Sequence, residues 1–338
     1  MNEKLTDQME AMPKIDLHCH LDGSMTLNSV EQILGRTIRV EELEAGECCR
    51  NLAEYLERFR LPLQCIQTEE GLRLAAREFL LDVAREQTKY VEVRFAPLSS
   101  VHEQLSCRKV IEAVLNGLEE AQARCGVSWN VIVCAMRHHP WEDSLAMLKV
   151  CREYLGAGIC AADLAGDEAS YPMEGFRELF AQVKQLGFPF TIHAGECGRV
   201  ENVLEAVKCG AARVGHGIAL SGHPEAQKLC AERKIGIEMC PTSNLQTRAA
   251  KKESYPIREF MDAGLWVTLN TDNRTVSNTS MTKEMTFMVQ EYGITEEELR
   301  QFFCHAVEVS FADDQTKHCL LKLPFGELPV GCSRKLDV

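Results

Sequence analysis

The stretch KIDLHCHLDG, residues 14–23, decides how the rest of the chain is read. His18 and His20 stand two residues apart, and Asp22 follows two further on. A β-strand sends successive side chains to opposite faces, so both imidazoles project the same way. Two neutral imidazoles on one face are half of a zinc site. Completing it takes further ligands, a proton donor and a pocket, which other parts of the chain must bring.

Composition narrows the classes. At 338 residues the chain exceeds an average domain but suits a single α/β barrel, here residues 1–338. The formal charge is −13, with 50 acidic against 37 basic residues, and no Lys/Arg-rich block offsets it. That disfavours a nucleic acid as partner and leaves a small neutral ligand compatible. The 16 cysteines are scattered without C-x-x-C spacing, and the N-terminus MNEKLTDQMEAM is polar and acidic rather than a signal peptide. No apolar run approaches a membrane span. Reduced thiols acting as small core residues, in a cytoplasmic protein, fit this pattern.

After KIDLHCH, apolar β-branched runs recur as YVEVRFAP (90–97), SWNVIVCAM (128–136), GICAADLAG (158–166), FPFTIHAGE (188–196), ARVGHGIAL (212–220), IGIEMCPTSN (235–244) and WVTLNTDN (266–273). Stretches of helical period lie between them, such as Leu72, Ala75, Ala76, Phe79, Leu80 and Val83. Eight nearly continuous apolar strands alternating with helices predict a parallel (β/α)₈ TIM barrel. An open doubly wound sheet is the alternative, but no G-x-G-x-x-G follows an early strand. Residues 27–70 form the longest excursion. Leu52, Tyr55, Leu56 and Phe59 give it an apolar pattern, which predicts a helical insertion that is either a lid or a peripheral helix. Thr295 with Glu298 reads as a capping box opening an extra C-terminal helix.

The chemically suggestive residues fall toward the C-terminal ends of predicted strands, the catalytic face of such a barrel. His18 and His20 end the first strand, His193 and Glu196 the fifth, His216 lies in the sixth, and Asp272 and Asn273 close the eighth. Three imidazoles (His18, His20, His193) and one carboxylate (Asp272) suit a single Zn²⁺ with an open position for water. Bound zinc would lower the pKa of that water and supply a hydroxide nucleophile. His216 is then a candidate base that orients the hydroxide, and Glu196 a candidate general acid whose neutral form burial must favour. Glu92 and Arg94 share one face of the second strand and are expected to pair inside the barrel. Arg137, His138 and His139 read as structural rim residues.

Together, PKIDLHCHLDGS, YVEVRFAP, MRHHP, DLAGDE, TIHAGE, RVGHGIAL, EMCPTSN and TLNTDN resemble, in order, the motifs of the adenosine deaminases of the metal-dependent amidohydrolase superfamily. The resemblance implies zinc bound by His18, His20, His193 and Asp272, and hydrolytic deamination of adenosine and 2′-deoxyadenosine in purine salvage. It further implies that Glu196 protonates purine N1, that His216 assists attack at C6, and that Gly166 offers its N–H to N3. Asp22 would bind the ribose 5′-hydroxyl, and the residues over 52–59 would form an apolar gate. Many members carry a second aspartate where this chain has Asn273, the position facing N7. An Asn amide donates there at any pH, whereas a carboxylate must first be protonated. The alternatives are a deaminase of adenine or another 6-aminopurine nucleoside, a zinc-dependent lactone or phosphoester hydrolase on the same barrel, and a barrel that only binds. Asp22 in HLDG, shorter than Glu, leaves room for a ribose.

Overall fold

The computed structural model describes residues 3–46, 55, 57–197 and 199–325. Its strands are β1 (Lys14–His20), β2 (Thr88–Phe95), β3 (Ser128–Met136), β4 (Ile159–Ala165), β5 (Thr191–Ala194), β6 (Arg213–His216), β7 (Gly236–Met239) and β8 (Trp266–Leu269). All neighbours are parallel, in the orders β1-β2-β3-β4 and β5-β6-β7-β8. Two single bridges join these halves: Ala162 pairs with Phe190, and Cys19 with Asp272. At the second, the His20 N–H donates to the Asp272 carbonyl at 2.7 Å and the Asp272 N–H to the His18 carbonyl at 2.8 Å. The barrel therefore closes as the eight apolar runs predict.

The helices cover the outer faces through the expected stripes. Leu72, Ala75, Ala76, Phe79, Leu80 and Val83 are all buried on the helix Glu69–Ala84. Gly210, left-handed at φ 102°, ends the helix Val200–Cys209. Thr295 and Glu298 form the reciprocal capping box of the helix Glu296–Val309.

Three expectations need correction or completion. First, β5 to β8 are four residues each, shorter than the runs that predict them. Apolarity continues past each strand because the following turns are also buried. His216 and Gly217 both have left-handed φ, 65° and 64°, and turn the chain out of β6. Pro241, with φ preset for a first helical turn, opens the helix Pro241–Gln246 directly after β7. Second, Glu92 and Arg94 do not pair. Two residues apart on an extended strand, they lie at different levels of the barrel, and each finds a partner on other strands. Arg94 bonds Asp163 at 3.0 Å and Glu238 at 2.9 Å; Arg213 bonds Glu92 at 2.5 Å and Glu238 at 2.6 Å. Third, within 27–70 the structure gives the helices Leu27–Leu34 and Arg60–Cys65, while Leu52 and Leu56 lie outside the described residues. Tyr55 is buried and packs with Ala45 and Val276, and Phe59 joins that cluster.

One buried acid links the outer helices to the face of the barrel. Glu284, on the helix Met281–Tyr292, accepts the Thr242 N–H at 3.2 Å and the Thr279 hydroxyl at 2.5 Å. It thereby holds the start of the helix that carries Ser243 and Asn244. Burial pushes Glu284 up to about 7 against those two bonds, and buried Asp16 adds to the rise. A carboxyl raised in the folded state stabilises the fold below its unfolded pKa and loses that contribution as pH rises through about 7. Glu284→Gln keeps an acceptor for Thr242 and offers N–H to Thr279. Urea denaturation should find this variant more stable than wild type by about 3 kcal/mol near pH 8 and no different near pH 4. An equal difference at both pH values would contradict the titration.

Candidate active site

A cavity of about 370 Å³ opens where the strands end. His20, Asp22, Gly166, His193, Glu196, His216, Asp272 and Asn273 all line it, and His18 lies fully buried beneath. The fold thus gathers residues from five strands and the loops after them around one cavity.

The imidazole nitrogens converge. His20 Nε2 lies 3.1 Å from His193 Nε2 and 3.5 Å from Asp272 Oδ1, and His18 Nε2 lies 3.4 Å from the same oxygen. Ligand atoms of His18, His193, His216 and Asp272 all fall within 4.8 Å of one another. The far nitrogens are anchored: His18 Nδ1 to Glu238 at 2.7 Å, His193 Nδ1 to Asp163 at 2.9 Å. Anchoring Nδ1 by a carboxylate fixes the tautomer and turns the Nε2 lone pair toward the centre. His18 Nε2 is left buried with no hydrogen-bond partner, a loss that folding does not tolerate without reason. Converging neutral nitrogens around one carboxylate oxygen fit a divalent cation of borderline softness.

Electrostatics keep these groups in their binding forms. Burial alone would push Asp272 up, but the imidazoles of His18, His20 and His216 around it outweigh this and hold Asp272 well below the usual carboxylate range. Its second oxygen accepts the Ser243 hydroxyl at 2.5 Å. Burial moves His20 well below the ordinary imidazole value, only partly opposed by Asp272, so its ring stays neutral. Asp272 and His216 are non-glycine residues in the left-handed region, at φ 60° and 65°. Such backbone costs about 1–3 kcal/mol per residue and persists where surroundings over-determine it. Gly215 is required for packing: a Cβ there would come within 2.9 Å of the His18 ring.

His216 is oriented from behind. The Tyr255 hydroxyl donates to Asn244 Oδ1 at 3.2 Å, which leaves the Asn244 amide nitrogen facing His216 Nδ1 at 2.9 Å. The neutral ring then carries its proton on Nε2, 3.8 Å from Glu196 Oε2. In this tautomer His216 meets the cavity as a donor. Burial pushes Asp22 up to about 6, opposed by the Gly23 N–H and reinforced by Asp272. Gly166, at φ 104°, turns the chain after β4 against the cavity. Asn273 Nδ2 donates to the Tyr55 hydroxyl at 2.9 Å, and that hydroxyl also bonds Ser277 at 2.8 Å.

Sequence reading passed over several contributors: Asp163, Glu238, Ser243, Asn244, and Glu168 behind the Glu196 loop. Their one signal was a polar side chain inside an otherwise apolar run, in DLAGDE and EMCPTSN. His138, read as a rim residue, lines the cavity.

A sequence profile of the adenosine deaminases matches residues 13–323. The chain belongs to the adenosine deaminase family. It is 38% identical over 323 residues to the adenosine deaminase of Enterococcus faecalis, covering 93% of this chain and 96% of that protein. It is 40% identical over 322 residues to the adenosine deaminase of Clostridium botulinum strain Okra, covering 91% and 96%. Solved structures share the fold at lower identity. A zinc-bound amidohydrolase of Burkholderia ambifaria superposes with a TM-score of 0.85 at 23% identity, covering 93% of this chain and 90% of that one. The adenine deaminase of Arthrobacter aurescens gives 0.82 at 22%, covering 92% and 97%. The family is one of metal-dependent hydrolases, and the chain is an enzyme of that class.

The tautomer of His216 is directly measurable. Nitrogen NMR of the imidazole should find Nε2 protonated in the wild type. In Asn244→Asp the carboxylate accepts from Nδ1 instead, and the proton should move there. Protonated Nδ1 in the wild type would show that Asn244 does not set the ring.

Proposed function

We propose that this enzyme hydrolytically deaminates adenosine and 2′-deoxyadenosine to the inosine forms and ammonia, with one zinc ion per chain. The observation that carries this reading is the convergence of His18, His20, His193 and Asp272 at the floor of the cavity that Glu196 lines, in a chain about 40% identical to relatives named adenosine deaminases. Those four residues would hold the ion, and it would supply Lewis acidity for activating water. Glu196 gives its proton to purine N1, which makes C6 electrophilic. His216 donates from Nε2 to the oxygen that adds at C6, stabilising charge as it develops. On this reading His216, oriented by Asn244, acts as a donor rather than as the base expected from sequence. Asp272 accepts a hydrogen bond from the attacking oxygen, Gly166 offers its N–H to N3, and Asp22 bonds the ribose 5′-hydroxyl. Asp272 takes one proton of the attacking water and passes it to the C6 amino group, the other proton of that water returns to Glu196 as the C6 carbonyl forms, and ammonia leaves.

A nucleoside fits this cavity better than a nucleotide. Among the described residues lining it there is no Lys or Arg to meet a phosphate, while Asp22 and Asp167 are present. The insertion 27–70, through Tyr55 and Phe59, is read as a lid over the cavity on a single barrel domain. Among the described residues no helix is long and apolar enough to cross a membrane, and their cysteines are free. Both fit a cytoplasmic enzyme.

An absorbance assay of zinc-loaded protein should show turnover of adenosine and deoxyadenosine, with adenine and AMP slower by about 10²-fold or more. Turnover of adenine without adenosine would overturn the reading. Glu196→Gln should lose about 10²–10⁴-fold in kcat at unchanged zinc content.

Asn273 carries a second test. One of its amide N–H groups is held by Tyr55, and the other is available to N7. Asn273→Asp can donate to N7 only when protonated, so its KM should climb with pH while the wild type stays flat. Matching pH profiles would remove N7 from the role of Asn273.

A further inference from the structure

Between β5 and the helix Val200–Cys209 the chain makes the turn that carries Glu196. Gly195 is left-handed at φ 77°, and a Cβ on it would come within 2.7 Å of Val203. Three successive backbone N–H groups, of Gly195, Glu196 and Cys197, are left without partners in a strand or helix. Successive N–H groups turned the same way form a concave anion site, and here its anion comes from the chain itself. Glu168, 2% exposed, reaches across from the loop after β4. Its Oε1 accepts from Gly195 at 2.6 Å and from Asn202 Nδ2 at 2.7 Å; its Oε2 accepts from Glu196 at 3.0 Å and Cys197 at 3.2 Å. Four donors satisfy the two oxygens of one buried carboxylate.

The placement has a chemical consequence. Glu168 stands two residues after Gly166, and it grips the backbone of Glu196 itself. Gly166 and Glu196 are the groups proposed above for N3 and N1 of one six-membered ring. The loop after β4 keeps its own shape, since Asp167 Oδ1 accepts from Ala169 at 3.0 Å and Ser170 at 3.1 Å. Arg137 ties it further, donating to the carbonyls of Tyr171 at 2.5 Å and His193 at 2.7 Å. Among the described residues, the turn carrying Glu196 is held by Glu168 and by the Ala219 N–H, which donates to the Gly195 carbonyl at 2.8 Å.

We infer that Glu168 is a positioning residue for the reaction: its carboxylate fixes the backbone of Glu196 so that the acid stands at a set distance from the group that binds the opposite side of the purine ring. The inference rests on the deaminase reading for its kinetic consequence, while the backbone grip stands apart from it.

The tests separate the two. Glu168→Gln keeps the size but turns one acceptor into a donor facing a backbone N–H. Misplacing a reacting group by about 1 Å costs about 10²-fold, so kcat on adenosine should fall by about 100-fold with KM changed less than about threefold. Zinc content should be unchanged. In a Glu196→Gln background the same substitution should cost less than about threefold, because the group it positions is already gone. Amide hydrogen exchange at residues 195–197 should quicken by about tenfold or more, whatever the substrate proves to be. Full loss repeated in the Glu196→Gln background, or wild-type protection at residues 195–197, would overturn the inference. Should Glu168→Gln fail to fold, Glu168→Asp, which withdraws the carboxylate by one methylene, is judged by the same exchange and double-variant criteria.

Discussion

Two backbone hydrogen bonds join the segment after the last strand to the first strand, and both belong to candidate metal ligands. His20 donates to the Asp272 carbonyl at 2.7 Å, and Asp272 to the His18 carbonyl at 2.8 Å. The rest of β8 stops at Leu269, so these bonds with the Cys19–Asp272 bridge are how the barrel shuts at its upper rim. Closure therefore fixes the separation of three candidate ligands by main-chain geometry rather than by flexible side chains. It also explains why Asp272 tolerates a left-handed backbone: its N–H and carbonyl are both committed to β1.

Beneath that rim, buried charges do the orienting. Glu238 would be pushed up by burial, but Arg94 and Arg213 outweigh it and hold it well below the ordinary range. Asp163 is treated the same way by His193 and Arg94. Each anion then spends one oxygen on an imidazole Nδ1. Arginine suits the task better than lysine, since one planar fork in Arg94 reaches both acids. The order of constraint runs from arginine to acid to histidine to the cavity, and breaking it low down leaves an unpaired charge costing about 3–5 kcal/mol.

Much of this was legible in the chain. The eight apolar runs, the stripes on the covering helices, the Thr295–Glu298 cap and the strand-end His and Asp residues all rest on local period or residue type. What sequence left out is non-local. Glu92 and Arg94 share a face, but whether they pair depends on what β4, β6 and β7 place at each level. Strand ends after β5 are blurred because buried turns are as apolar as strands. Glu168 and Asn244 act on backbone and ring atoms about 28 residues away, a distance no spacing rule spans. Leu52 and Leu56 of the expected gate lie outside the described residues, and only Tyr55 and Phe59 speak for it.

The cavity thus has two walls of different construction. The candidate metal side is built on strands, with ligand backbones serving as closure bonds and ligand rings braced by buried acids. The opposite side is built on loops: Gly166 and Glu196 joined through Glu168, Asn273 joined through Tyr55 to the insertion. A hydrolase needs the first wall rigid, because misplacing an activated water by a fraction of an ångström forfeits its alignment with the reacting carbon. It needs the second to open and close around a ring, because a buried substrate must enter. The Tyr55 hydroxyl that ties Asn273 to the insertion meets that need, since a hydrogen bond worth about 1 kcal/mol can be exchanged where a strand ladder or the four-donor hold of Glu168 cannot.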